Sequence, residues 1–449
     1  MYLSLLLSIA IIALQQTPAP PMTFAQAVTP ADCIAAGRAF MSKRQKELTQ
    51  PEPGKTIPLT SAMVTQATTE KNVEEKSCAA KFDAKTLPPA GLVSLAEVYG
   101  DMGDVPASAA LIDTVKKHKD ATASDKASAI ALQINNGLRE PKGDERNARL
   151  EKMIDELDAL GTAAFEQQFT AHSRMNGYYR ADDIDAGIIK HSTWLIKAGE
   201  TCAPADRNRL GLTIASAHVN MAEAWAGQGM TDKALALLRD GVSKWGDVSP
   251  RPANGSAPVP NYARDNYFKP EIERLELVGT PAAPITAPVW LNGPANNKLE
   301  MAGHVTLLEF TAHWCGPCRE SYPGINRLRA KYGAQGFRVA QATQLYGYFQ
   351  SERGLDAATE IARDKVYFEE HHIGDVPLAI GPKVDVKVVN GKVEYIPAKD
   401  PNDVNYKVGG IPQIHLIDKK GNIRLIMVGY DDANEEKLAK MIESLLKEK

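Results

Sequence analysis

From Thr29 to about Asp247 the chain sets Ala and Leu at helical spacing among Lys and Asp, with few β-branched runs, which predicts a succession of helices. The pattern changes in the C-terminal part. Val305-Thr306-Leu307-Leu308 leads into Glu309-Phe310 as a buried strand, and Tyr322, Ile325, Leu328 and Tyr332 then fall at helical spacing. Asp356 to Phe368 alternates apolar and charged residues with helical spacing. Lys383 to Pro397 shows strand alternation around Asn390-Gly391, a type I′ hairpin signal, and Ile414-His415-Leu416-Ile417 reads as a further strand. Between the halves, Pro250 to Pro260 has the composition of a loop or semi-rigid linker. The expected organisation is multidomain: an all-α repeat or bundle over residues 28–248, a linker over 249–277, and an α/β domain over 278–449 with an inserted helix and β-hairpin.

Two stretches of the helical half carry a paired-helix pattern. In His218 to Trp245 the residues Ala222, Trp225, Gly229, Ala234, Leu238 and Gly241 resemble a tetratricopeptide repeat, and Leu92, Ala96, Tyr99, Gly103, Ser108 and Ile112 fall at broadly matching offsets. A generic helical bundle accounts for them nearly as well, since the two matches are not separated by a clean multiple of about 34 residues. Either architecture offers a groove for a protein partner. At the other extreme of the sequence, the apolar run Tyr2 to Leu14 is too short to span a bilayer and resembles a secretory h-region, with Ala25-Gln26-Ala27 as a small-residue cleavage site. Residues 1–27 therefore read as a signal peptide and the protein as periplasmic or otherwise exported, although no Lys or Arg precedes the run and the first basic residue is Arg38. A formal charge of -3 without a basic cluster argues against nucleic acid as a partner.

The strongest chemical statement is Trp314-Cys315-Gly316-Pro317-Cys318 at a strand-to-helix junction. A tetrahedral zinc site would need a second pair of ligands, and Cys33, Cys78 and Cys202 are isolated. The spacing instead suits a dithiol that closes to a small reversible disulfide, its first thiol made acidic by the helix N-terminus. Cys315, at the exposed end, is the expected nucleophile and Cys318, one turn inside, the resolving thiol. Trp314 is expected to shield the dithiol and help form the docking surface, and His313 to face solvent. Glu370-His371-His372 reads as a solvated helix end, so no metal and no cofactor is expected. In an oxidising compartment Cys33 and Cys78 are the expected structural disulfide and Cys202 the leftover thiol, three pairings being open.

From about Val278 to Lys449 the sequence resembles the thioredoxin superfamily, and within it the exported TlpA-type thiol:disulfide oxidoreductases. Besides the dithiol, Gly409-Gly410-Ile411-Pro412-Gln413 followed by Ile414 to Ile417 matches the family's cis-proline segment. The resemblance implies a cis Ile411-Pro412 bond facing the dithiol, with Trp314, Gly316, Pro317, Ile411 and Pro412 forming the substrate-binding surface. Glu309 occupies the position of the buried acid that takes the proton of the resolving thiol. Ser321 stands where many TlpA-type reductases have an acid, and Gln341 where thioredoxins often have a lysine, so proton transfer leans on Glu309. The Gly316-Pro317 dipeptide resembles reducing members. The resemblance thus implies a disulfide reductase or isomerase acting on exported proteins, recharged by a membrane electron donor. The alternative is a helical interaction protein carrying a redox-responsive module.

Overall fold

The computed structural model describes residues 21–449 except 51–56, 58, 183, 251–256, 384, 390–391, 397–399, 431 and 449. The apolar run Tyr2 to Leu14, most of the Pro250 to Pro260 linker and the Asn390-Gly391 turn lie outside the described residues. Among those described, no helix is long and apolar enough to cross a membrane. The chain divides into two compact units between Ala171 and His172.

The first unit is built of α1 (Pro30–Thr49), α2 (Ser61–Ala79), α3 (Pro89–Asp101), α4 (Val105–Lys117), α5 (Ala123–Gly137), α6 (Asp144–Asp158) and the start of α7 (Phe165–Ala181). Helix starts follow local chemistry: Thr29, Thr60, Asp104 and Thr122 each accept a backbone N–H of the first turn. Cys33 and Cys78 form a disulfide joining α1 to α2, buried with Ile34, Leu95 and Val98. Ala27, at the expected cleavage position, is also buried in this cluster. The paired stretch around Leu92 to Ile112 is the hairpin α3–α4, whose connection passes through Gly103 at φ 83°.

The second unit continues with α8 (Asp185–Thr201), α9 (Arg207–Gly227), α10 (Thr231–Trp245) and α11 (Lys269–Leu275). The second paired stretch is the hairpin α9–α10, turning at Gly229 with φ 80°. Cys202, at the end of α8, is a free thiol. There follow β1 (Ile285–Thr286), β2 (Val289–Leu291), β3 (Lys298–Leu299), β4 (Val305–Phe310), α12 (Gly316–Tyr332), β5 (Phe337–Leu345), β6 (Tyr348–Phe349), β7 (Glu352–Arg353), α13 (Ala357–Glu370), β8 (Leu378–Lys383), β9 (Asp385–Val389), β10 (Lys392–Ile396), α14 (Pro401–Asn405), β11 (Gln413–Ile417), β12 (Ile423–Val428) and α15 (Asp432–Lys447).

Six strands form one sheet in the order β12-β11-β4-β5-β8-β2. β4, β5 and β8 run parallel, and β2, β11 and β12 pair antiparallel. Helices α12 and α13 make the crossovers that parallel strands require. β4 is buried along its whole length, so its side chains alternate between two cores. Val305 and Leu307 join Tyr322, Ile325, Phe368 and Leu438 on one face; Leu308 and Phe310 join Ile285, Ala340 and Tyr406 on the other. The same alternation turns Glu309 toward α12. β9 and β10 form a separate antiparallel hairpin, and α13 lies between β5 and β8 in sequence.

Candidate functional site

Where β4 ends, the chain turns through Thr311 to Trp314 into α12, and Cys315 occupies the N-cap. Its sulfur accepts the Cys318 backbone N–H at 3.1 Å, and Pro317 in the first turn has no N–H to leave unpaired. Helix geometry places residues 315 and 318 one turn apart, and their sulfurs form a disulfide with Cα atoms 5.2 Å apart. The expectation of an exposed Cys315 needs correction. In this oxidised state it is 3% accessible and Cys318 0%, because Cys315 packs into the apolar cluster that Ala312, Tyr346 and Ile411 also border. Of the two residues, only Cys315 keeps any accessible surface. Beside it Trp314 is 48% exposed, its ring edge-on to Tyr346 at 5.5 Å.

Antiparallel pairing of β11 with β4 aligns Gln413 with Phe310, which sets the preceding residues beside the turn that carries the dithiol. The Ile411-Pro412 bond is cis, and the Pro412 carbonyl accepts the N–H of Gly429 at 2.8 Å. The approach to this segment is bounded by α11: a Cβ at Gly409 would lie 3.3 Å from Arg274 Nη1. Arg274 is paired with Glu271 and lies 3.9 Å from Glu223. On β11, His415 is buried against Phe310 and Tyr406, and burial, aided by the Arg274 charge, lowers its pKa to about 3, so the imidazole is neutral at physiological pH.

Beneath the dithiol, Glu309 is 0% accessible. Burial pushes its pKa up from 4.5 to about 7, against the hydrogen bonds of Ser321 and Gln341, which favour the ionised form. Gln341, aligned with Glu309 across the parallel β4–β5 pair, donates its Nε2–H to Oε2 at 2.7 Å. Ser321 Oγ lies 2.6 Å from Glu309 Oε1 and 2.6 Å from the carbonyl of Cys318. A hydroxyl has one proton and cannot donate to both acceptors. The serine proton therefore goes to the carboxylate when Glu309 is ionised, and to the Cys318 carbonyl when a protonated Glu309 donates to Ser321 Oγ instead. Ser321 and Gln341 are thus the acid's hydrogen-bond partners, and Ser321 links it to the backbone carbonyl of Cys318. Tyr322 shares this floor, its hydroxyl 2.8 Å from Thr311 Oγ1 and its pKa raised by burial and by nearby Glu309.

His313 does not face solvent. The segment after β5 folds back over it, packing Tyr346, Tyr348 and Phe349 around the imidazole with ring centroids 5.8, 5.4 and 5.1 Å away. Its Nδ1 stands 3.0 Å from Asp364 Oδ1 on α13. The sequence reading missed Asp364 and its neighbour Glu360, although their i,i+4 spacing on a helix was visible. It also missed Asp403 on α14. That carboxyl, half-buried, accepts from Gln344, and burial together with nearby Asp400 raises its pKa to about 7. His371 and His372 close α13: His371 Nδ1 lies 2.7 Å from the Tyr367 carbonyl, and His372 adopts φ 57°.

No protein-family model matches the chain. A thioredoxin from Coprinus comatus is 40% identical over 45 residues, 10% of this chain; the chain spans 42% of that protein's length. Among solved structures, a Chlorobium tepidum protein assigned as the thiol:disulfide interchange protein DsbE is 27% identical, covering 38% of this chain and 97% of that chain, with TM-score 0.27. A thiol-disulfide isomerase from Corynebacterium glutamicum is 23% identical over 38% of this chain and 97% of its own, with TM-score 0.28. The parallel β4–α12–β5 unit, the disulfide at the head of α12 and the cis-proline before β11 give this part of the chain a thioredoxin-like fold.

Proposed function

We propose that this protein is a TlpA-type thiol:disulfide oxidoreductase that reduces or isomerises disulfides of exported proteins. The observation that carries the reading is a helix-capping Cys315–Cys318 disulfide set over a buried carboxyl whose pKa is displaced to about 7. In the reduced enzyme the Cys315 thiolate attacks one sulfur of a substrate disulfide, forming a mixed disulfide and expelling one substrate thiolate. Cys318 then gives its proton to Glu309 and attacks Cys315 sulfur, expelling the second. Two electrons pass to the substrate, the enzyme ends as the disulfide, and a membrane electron donor restores the dithiol. Trp314, Gly316, Pro317, Ile411 and Pro412 form the docking surface in this reading. Residues 278–449 are the redox domain and 28–248 a helical domain whose surface takes a protein partner, after a signal peptide at 1–27.

Reduction of insulin disulfides tests the proposal. Cys315→Ser abolishes turnover, whereas Cys318→Ser accumulates mixed disulfides resolvable by non-reducing electrophoresis. Undiminished turnover by the Cys315 variant rejects the enzyme reading. The alternative, a helical interaction protein with a redox-responsive module, draws on a groove of about 550 Å³ in the second unit, bordered by Arg180, Glu223, Arg274, Met427 and Lys437. Under it, a bound partner survives Cys315→Ser and is released by oxidation of the wild type.

A further inference from the structure

Two carboxylates and one imidazole converge next to the redox turn, all buried: Glu360 at 0% accessibility, Asp364 at 1% and His313 at 7%. Glu360 and Asp364 are one turn apart on α13, so both point to the same side, where His313 arrives from the β4–α12 turn. One ligand atom from each lies within 4.8 Å of the other two. Glu360 is held in place by the backbone, accepting the N–H groups of Tyr346 and Gly347 at 2.6 and 2.7 Å. Both oxygens of Asp364 and both nitrogens of His313, by contrast, are buried without a hydrogen-bond partner of good geometry.

The charge balance of this cluster is unfavourable as it stands. Two ionised carboxylates in an apolar setting repel each other and lose their hydration, an arrangement that persists only with a compensating cation. Among the described residues no lysine or arginine forms an ion pair with Glu360 or Asp364; the single basic partner is His313. A divalent ion supplies two charges and uses the free lone pairs of the imidazole and of Asp364. One nitrogen and two carboxylate donors form a mixed set suited to a first-row transition ion such as zinc, with remaining positions open to water.

We propose that His313, Glu360 and Asp364 form a binding site for one divalent transition-metal ion, tying α13 to the turn that carries the dithiol. The site uses none of the cysteines and does not depend on the redox reading.

The test uses the full chain with Cys315–Cys318 oxidised and Cys202 replaced by serine, so that no thiol is available. Zinc is titrated in competition with a chromophoric chelator. One equivalent binds to this protein, and Asp364→Asn and His313→Ala each weaken binding by about 100-fold or more, the loss expected when a ligand rather than an outer partner is removed. Cobalt(II) bound to the unsubstituted cluster gives d–d absorption without a sulfur-to-metal charge-transfer band, a readout that stands even if the variants fold poorly. No zinc uptake, uptake unchanged in both variants, or a cobalt spectrum of the hydrated ion overturns the proposal.

Discussion

Glu309→Gln isolates the energetic cost of a buried carboxyl. Its folded pKa of about 7 lies above the ordinary 4.5, so between these values the native state holds a proton that the unfolded chain has released. Stability therefore falls as pH rises across that window, and the fall is complete once Glu309 is ionised in both states. The displacement corresponds to about 3 kcal/mol. Glutamine reproduces the protonated acid: its Oε1 accepts from Gln341 while its Nε2–H donates to Ser321, which then donates to the Cys318 carbonyl. Wild type and variant should be nearly equal near pH 4, and the variant should gain about 3 kcal/mol by pH 8. His415 imposes an opposite slope, losing stability as pH falls from 6.5 toward 3, but it is common to both proteins and cancels in the difference. The assay is urea unfolding of the oxidised protein followed by tryptophan fluorescence. Trp194, Trp225, Trp245, Trp290 and Trp314 all lie in the second unit, so the signal reports the unit that contains Glu309. A difference that is the same at pH 4 and pH 8 would refute the reasoning and leave Glu309 as a solvated or otherwise compensated group.

The same substitution should slow the resolving step by ~10² to 10⁴ while sparing the first attack by Cys315, because an amide cannot take the Cys318 proton; rapid mixing with a model disulfide that finds equal release rates would reject the proton-acceptor role. Replacing Cys33 and Cys78 together by serine frees a loop closed across 45 residues, a loss of about 4 kcal/mol in the chain-entropy model; hydrogen exchange in α1 to α3 measures it, and unchanged protection contradicts the estimate. Gly187→Ala in α8 sets helix propensity, a gain of about 1 kcal/mol, against a Cβ placed 2.3 Å from the Tyr179 ring. Overpacking should win with a net loss of about 1 to 3 kcal/mol; a higher urea midpoint would mean that the helices are not so closely packed.

The sequence by itself determined those parts whose physics is local. Apolar spacing and cap residues specified the helices, and the buried run of β4 followed by Cys315-Gly316-Pro317-Cys318 specified a dithiol at a helix head. Contacts between segments distant in sequence needed the tertiary structure. Gln341 and Ser321 are ordinary polar residues in the sequence. Only the β4–β5 register and the docking of α12 bring them both onto one carboxylate. His313 reads as a turn residue facing water until the segment 346–349 and α13, 33 to 57 residues downstream, enclose it. Its neighbours Glu360 and Asp364 look like the solvated face of an amphipathic helix, because periodicity reports which side of a helix is polar but not whether another element covers that side. Burial is a property of the assembled chain, and it is what displaces the pKa of Glu309 upward and that of His415 downward.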